Sequence, residues 1–208
     1  MAEKNTQFNH FKIHTQYSIC EGALKIVDLA NYCQVENIFS AGISDSLNMC
    51  GVLEFSQEIS KAGTQPIIGT QINFSFSENN IEKTGKISLI AKNEIGYKNL
   101  LKLSSNSYLS IEKNEDPHCP IEDLIKYSDG VIVLVGGSRS LLSSLILDNK
   151  LTESESLIKI IKSYFGDNLY VEIQRHNEAH EENLEIQLLA LSEKFNIPIL
   201  ATHEVFYL

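Results

Sequence analysis

The 208-residue sequence contains no run of basic residues: Lys and Arg number 17 against 27 Asp and Glu, for a net charge of −10. Affinity for nucleic-acid phosphate comes mainly from clustered Lys and Arg, so direct binding of DNA or RNA by this segment is not expected. A CxxC pair is also missing. Cys20, Cys33, Cys50 and Cys119 are widely spaced, which excludes a zinc knuckle or redox dithiol built on that motif. There is no N-terminal apolar h-region, and no apolar run approaches the ~20 residues needed to span a bilayer. Together these absences predict a soluble, cytoplasmic protein with reduced thiols and no membrane contact. Internal repeats and low-complexity segments are absent too. What remains is 43% apolar residues, enough for the core of one sizeable domain or two small ones.

Short apolar runs alternate with longer segments of helical period. Phe11–His14 reads as a strand, 23–35 as a helix, 38–43 as a strand, and 47–62 as a helix stopped by Gly63. Strand character returns over 66–76 and again over 87–91. The polar stretch 78–85 between them suits a hairpin or a short excursion. Asn93 is placed to cap the helix that follows it. The spacing then predicts a buried strand over 131–135 and helices over 138–147 and 153–164. A strand over 169–174, a helix over 181–195 and a strand over 197–202 complete the pattern. Such alternation implies a mostly parallel sheet of about seven strands, open or closed into a barrel. The segment 110–120, with Pro117 and Pro120, is the expected surface loop. The apolar ending Val-Phe-Tyr-Leu suggests a longer parent chain.

In parallel α/β folds, binding residues gather at the carboxyl ends of strands. Those ends read His14-Thr15, Ser44-Asp45-Ser46, Gln71, Gly136-Gly137, Gln174-Arg175-His176 and Thr202-His203-Glu204. Imidazole and carboxylate together are ligand types for zinc, manganese or iron. Polar residues at strand ends are also expected simply because loops face water. Asp45 suits the role of a helix N-cap at least as well as that of a ligand, and strand alternation points His203 away from its flanking residues. His10, His118 and His180 fall outside the strand-end set and read as surface residues. Lys12 is out of keeping with a metal site, because it sits two residues before His14, on the same face.

The string "FKIHTQYSICEGALKI" resembles the opening of the PHP (polymerase and histidinol phosphatase) domain of bacterial replicative DNA polymerase III alpha subunits. "GISDSLNMCGVLEFSQEISKAGTQPIIGTQI", "LIAKNEIGYKNLLKLSSNSYL" and "YVEIQRHNEAHEENLEIQLLALSEKFNIPILATHEVFYL" are similar to later segments of that domain, in the right order. The resemblance covers nearly the whole chain, as a single domain over 1–208 that forms the N-terminal part of a polymerase chain. It implies a distorted seven-stranded, TIM-barrel-like (β/α) barrel, truncated at its C-terminus, of a kind that holds three metals at its carboxyl end.

Set against the family's ligand pattern, the residues match only in part. Lys12 stands where the first histidine is expected, and His14 matches the second. Asp45 is kept but Ser46 replaces its histidine partner. Gln71 replaces a glutamate and Gly137 a cysteine or histidine. His176 matches, Glu204 replaces an aspartate, and Phe206 replaces the last histidine. Multi-metal hydrolysis needs enough anionic and imidazole ligands to hold ions ~3.5–4 Å apart. The expectation is therefore a vestigial cleft with no cofactor, or at most one weak divalent zinc, manganese or magnesium ion on His14, Asp45, His176 and Glu204. Water and a contact of Lys12 with Asp45 or Glu204 would fill it. By the same resemblance the partners are the downstream polymerase domains, the proofreading exonuclease subunit and the replisome. The alternative is an active PHP phosphoesterase, either a 3′–5′ exonuclease or a histidinol-phosphatase-like enzyme. A third reading is that the segment alone is not a stable domain.

Overall fold

The computed structural model describes residues 8–112 and 114–208. Its first strand, β1, forms ladder pairs only at Lys12–Ile13. The expected helix start at 23 is delayed, because Ala23 donates its N–H to Phe206 O and Leu24 bridges Thr15 in parallel β fashion. Helix α1 therefore covers Ile26–Val35. Strand β2 spans Ser40–Ser46. The predicted helix start at 47 is also late. Leu47 adopts a positive φ and donates to Gln71 O, and the Asn48 amide donates to Tyr17 O and Ser46 O. These bonds hold 47–51 as a turn, and α2 runs over Val52–Lys61.

β3 (Gln65–Glu78) and β4 (Ile81–Ala91) form one long antiparallel hairpin in place of two short strands. Its turn is Asn79-Asn80, both at positive φ, the geometry of the two-residue turn that matches strand twist. The Asn93 side chain accepts from Gly96 N–H at 2.9 Å and starts α3 (Glu94–Leu109). Gly96 is needed there, since a Cβ would lie 1.8 Å from Gly130 O. Of the expected loop 110–120, Lys113 lies outside the described residues. Cys119–Pro120 instead form β5 beside Phe74 and Ser75 of β3. Then follow α4 (Ile121–Lys126), β6 (Val131–Val135), α5 (Leu141–Leu147), α6 (Leu151–Phe165), a 3₁₀ turn at Gly166–Asn168, β7 (Leu169–Ile173) and α7 (Glu181–Phe195). The chain closes with β8 (Ile199–Ala201) and β9 (Glu204–Val205).

The sheet runs β8-β7-β6-β4-β3-β2-β1-β9, parallel except at the two flanks of β4, with β5 off this path. β8 and β9 are separated only by Thr202-His203. They act as one bent strand whose first half pairs with β7 and whose second half pairs with β1. Counting it once and leaving β5 aside gives seven staves, closed into a TIM-barrel-like ring as expected. Two apolar cores lie outside the ring. The larger packs β3, β4, β6 and β7 against α3 to α7, and the smaller packs β1 and β2 against α1 and α2 around Phe55, Ile59 and Ile26. Each fully buried Leu, Ile or Phe contributes about 1.5–3 kcal/mol, so these layers hold the barrel. The inward positions at the carboxyl ends of the strands are left to polar residues.

Candidate functional site at the barrel mouth

Strand alternation in β7 sends Leu169 and Val171 into the apolar core and turns Glu172 inward, where it is 1% exposed. Lys12 on β1 also turns inward. Its Nζ lies 3.2 Å from Glu172 Oε1 and 2.7 Å from Glu204 Oε1. The remaining acceptor capacity of Glu172 is taken by Gly137 N–H at 2.9 Å and Thr202 Oγ1–H at 2.9 Å. Gln174 Nε2 donates to Thr202 Oγ1. Burial works to lower the Lys12 pKa, but Glu172 and Glu204 outweigh it and raise the value. Burial likewise pushes the Glu204 carboxyl up, and the Lys12 ammonium overcomes this to hold it at about 2. The pair is charged in the folded state.

A second group occupies the other side of the mouth. Asp45 Oδ1 accepts from Thr15 N–H at 2.6 Å and Ser18 Oγ–H at 2.7 Å, and Oδ2 accepts from Thr15 Oγ1–H at 2.8 Å. Every one of these donors is neutral. Burial pushes the Asp45 carboxyl up from its ordinary value, offset in part by these bonds. His14 lies between the two groups, fully buried, with its ring stacked on Phe206 at a centroid distance of 4.5 Å. Burial lowers its pKa to about 4, so the imidazole is neutral at physiological pH. One tautomer satisfies the network. Gln71 Nε2 donates to Glu204 Oε1 at 3.0 Å and to His14 Nε2 at 3.4 Å. His14 Nδ1–H then donates to Ser18 Oγ at 3.2 Å, and the Ser18 hydroxyl donates in turn to Asp45 Oδ1.

The remaining sequence-predicted residues fall around this pair of groups. Ser46 sits on the rim with Glu21 and Lys86: its hydroxyl donates to Glu21, and Lys86 Nζ reaches Glu21 Oε1 and Ser46 Oγ at 3.0 Å. Gly137 supplies its N–H and room; a Cβ there would lie 2.4 Å from Glu172 Oε1 and 3.2 Å from Lys12 Nζ. His176 stacks on His203 at 4.5 Å, and its N–H donates to Glu181. Both rings line an open cleft of about 440 Å³ with Ser138, Arg139, Glu178 and Glu204. As strand alternation predicts, His203 is exposed, while Thr202 and Glu204 on either side of it turn inward to Glu172 and Lys12. His10, read from sequence as a surface residue, is half-buried, with its Nδ1 enclosed. Of the two expected Lys12 partners, Glu204 is in contact, whereas Asp45 is committed to Thr15 and Ser18. Glu172 lies outside the strand-end set, one residue before the end of β7. Its signal was a carboxylate at an inward position of an otherwise apolar strand. Among the described residues, no three His, Cys, Asp or Glu side chains are grouped to hold a metal ion.

The PHP domain family model matches residues 10–176. The chain is 34% identical over 209 residues to the DNA polymerase III subunit alpha of Borreliella burgdorferi, and 35% identical over 208 residues to that of Rickettsia bellii. Each alignment covers 97% of this chain but only 18% and 17% of the relative, so the chain spans under a fifth of their length. Among solved structures, a Bifidobacterium adolescentis protein named for metal-dependent phosphoesterase activity superposes with a TM-score of 0.59 at 12% identity. That match covers 96% of this chain and 88% of the other. An amidohydrolase from Chromobacterium violaceum, with bound sulfate and no metal, gives 0.61 at 9% identity, over 96% and 87%. At such identities these likenesses speak for the fold alone. The fold and the family model agree: the chain belongs to the PHP domain family.

Proposed function

We propose that this chain is the PHP domain of a replicative DNA polymerase III alpha subunit and serves it as a scaffold, not as a metal-dependent hydrolase. The observation that carries this reading is Lys12 Nζ, held 3.2 Å from Glu172 and 2.7 Å from Glu204. A tethered ammonium supplies at that point the positive charge that a divalent ion would otherwise bring. The donor set around it does not fit a multi-metal centre. Gln71 is uncharged and uses its amide as a donor to Glu204 and His14, Gly137 has no side chain, and Phe206 covers one face of His14. Asp45 already accepts from three protein donors. A single weak ion on His14, Asp45, His176 and Glu204 would have to compete with these bonds.

On this reading, nucleotidyl transfer belongs to other domains of the same cytoplasmic polymerase chain. The barrel supports those domains and offers its outer surface to the proofreading exonuclease subunit of the replisome, without touching DNA itself. The net charge of −10 suits protein contacts better than template binding. Metal analysis of protein purified without chelator, with an exonuclease assay in manganese or zinc, tests the proposal. Substoichiometric metal and no cleavage are expected. Stoichiometric multi-metal occupancy, with cleavage that His14→Ala abolishes, would overturn it.

A further inference from the structure

The ring is closed by very little backbone. β8 pairs with β7 over three residues and β9 pairs with β1 over two, with Thr202-His203 unpaired in either ladder. By contrast, the β3–β4 hairpin pairs ten residues on each strand. Among the described residues β1 and β7 share no ladder, so on this side of the ring the bent closing strand is what joins them along the backbone.

Side chains on the inner face of this seam replace the missing ladder. Lys12 on β1 reaches Glu172 on β7 and Glu204 on β9. Thr202, at the bend, donates to Glu172 and accepts from Gln174 just past β7. Gln71 on β3 fastens Glu204 from the opposite wall. Lys12 is 2% exposed, Glu172 1% and Thr202 7%, so these bonds are not traded against water. We propose that Lys12 is the latch of the barrel: its ammonium ties the two strands that the backbone leaves unpaired and keeps the closing strand seated.

A latch makes a different claim from general charge neutralisation. If Lys12 merely neutralised carboxylates, its loss would lower stability evenly across the sheet. As a latch, its loss opens the seam first. The Thr202 N–H bonds Ile173 O and the His14 N–H bonds Val205 O, one on each flank of the closing strand, so both amides report on closure.

Hydrogen exchange on the full chain reads this out. With Lys12→Ala, the amides of His14 and Thr202 are expected to exchange at least tenfold faster, while those of the β3–β4 hairpin change less than twofold. Propylammonium, which can occupy the vacated space between the two carboxylates, should slow seam exchange again. Tetramethylammonium at equal ionic strength should not. Because Lys12→Ala is open to misfolding, Thr202→Val provides a second variant. It removes the hydroxyl bridge without stranding a charge and should accelerate the same two amides. Uniform acceleration across the sheet, unchanged seam exchange in both variants, or equal restoration by both salts would overturn the latch. None of these readouts depends on whether the domain binds metal or an exonuclease.

Discussion

The two sides of the barrel mouth solve one problem in different ways. On each side a carboxylate is removed from water. Where Glu172 and Glu204 converge, a cation is brought in, and Glu204 stays ionised with its pKa held at about 2. Where Asp45 stands alone, three neutral donors suffice, and burial pushes its carboxyl in the opposite direction, upward. Two carboxylates facing each other in a dry site repel strongly, whereas one can be met by hydroxyl and amide dipoles. His14 and Gln71 divide the two regimes, with Gln71 donating to both Glu204 and the neutral imidazole. A glutamate in place of Gln71 would remove both donors and add a third negative charge.

The widest contrast comes from deleting the cation. Lys12→Met keeps the apolar stem but leaves the buried Glu172 and the partly buried Glu204 without their counter-ion. Breaking a buried pair in this way costs about 3–5 kcal/mol, read as a lower midpoint in urea unfolding. Adding Glu172→Gln and Glu204→Gln to Lys12→Met removes the stranded charges and should recover much of that loss. A cost under about 1 kcal/mol for Lys12→Met alone would erase the distinction between the two sides.

Acid sharpens the comparison by sign. His14 has its pKa lowered from 6.5 to about 4. The unfolded chain therefore takes up the proton first, and stability present above pH 6.5 is lost as the pH falls toward 4. By linkage this limb amounts to about 3 kcal/mol. Glu204, lowered from 4.5 to about 2, adds a second limb of the same sign between those values. Asp45 acts oppositely, because its raised pKa makes the folded state the better proton acceptor. Urea midpoints measured from pH 7 to 4 should fall steeply in the native chain and flatten in His14→Gln. An unchanged slope in His14→Gln would mean that the imidazole is not the group that titrates.

Much of this was legible in the sequence, for reasons that differ from element to element. Val131–Val135 and Glu181–Phe195 fall where periodicity places them, because hydrophobic pattern alone decides a buried strand and an amphipathic helix. The late starts of α1 and α2 were not legible. They come from Ala23 bonding Phe206 and Leu47 bonding Gln71, contacts with segments distant in sequence that only the folded sheet brings alongside. The same division runs through the mouth. Lys12 announced itself by chemical type and Glu204 by its place at a strand end. Glu172 lies mid-strand, where an inward carboxylate looks like any residue of a strand until the opposite wall is in place. Gly137 stands where the family pattern expects a ligand, and the structure gives it a positive reason: the Glu172 carboxylate occupies the space a Cβ would need.

The smallest expected effect lies on the neutral side. Asp45→Asn keeps the shape of the side chain. With its oxygen at the Oδ1 position, it still accepts from Thr15 N–H and Ser18 Oγ–H. Its amide then faces Thr15 Oγ1, a hydroxyl that can turn to accept in place of donating. All three hydrogen bonds lose their charge assistance, and one buried charge is removed along with its desolvation cost. The two changes oppose each other, so urea unfolding at pH 7 should place the variant within about 1 kcal/mol of the native chain. The variant should also lose the stabilising response to acid that Asp45 contributes. A loss above about 3 kcal/mol would mean that the Asp45 charge, not its hydrogen-bonding shape, is what the fold uses. Asp45 would then have to be grouped with Glu172 and Glu204 as a third anion that the barrel cannot do without.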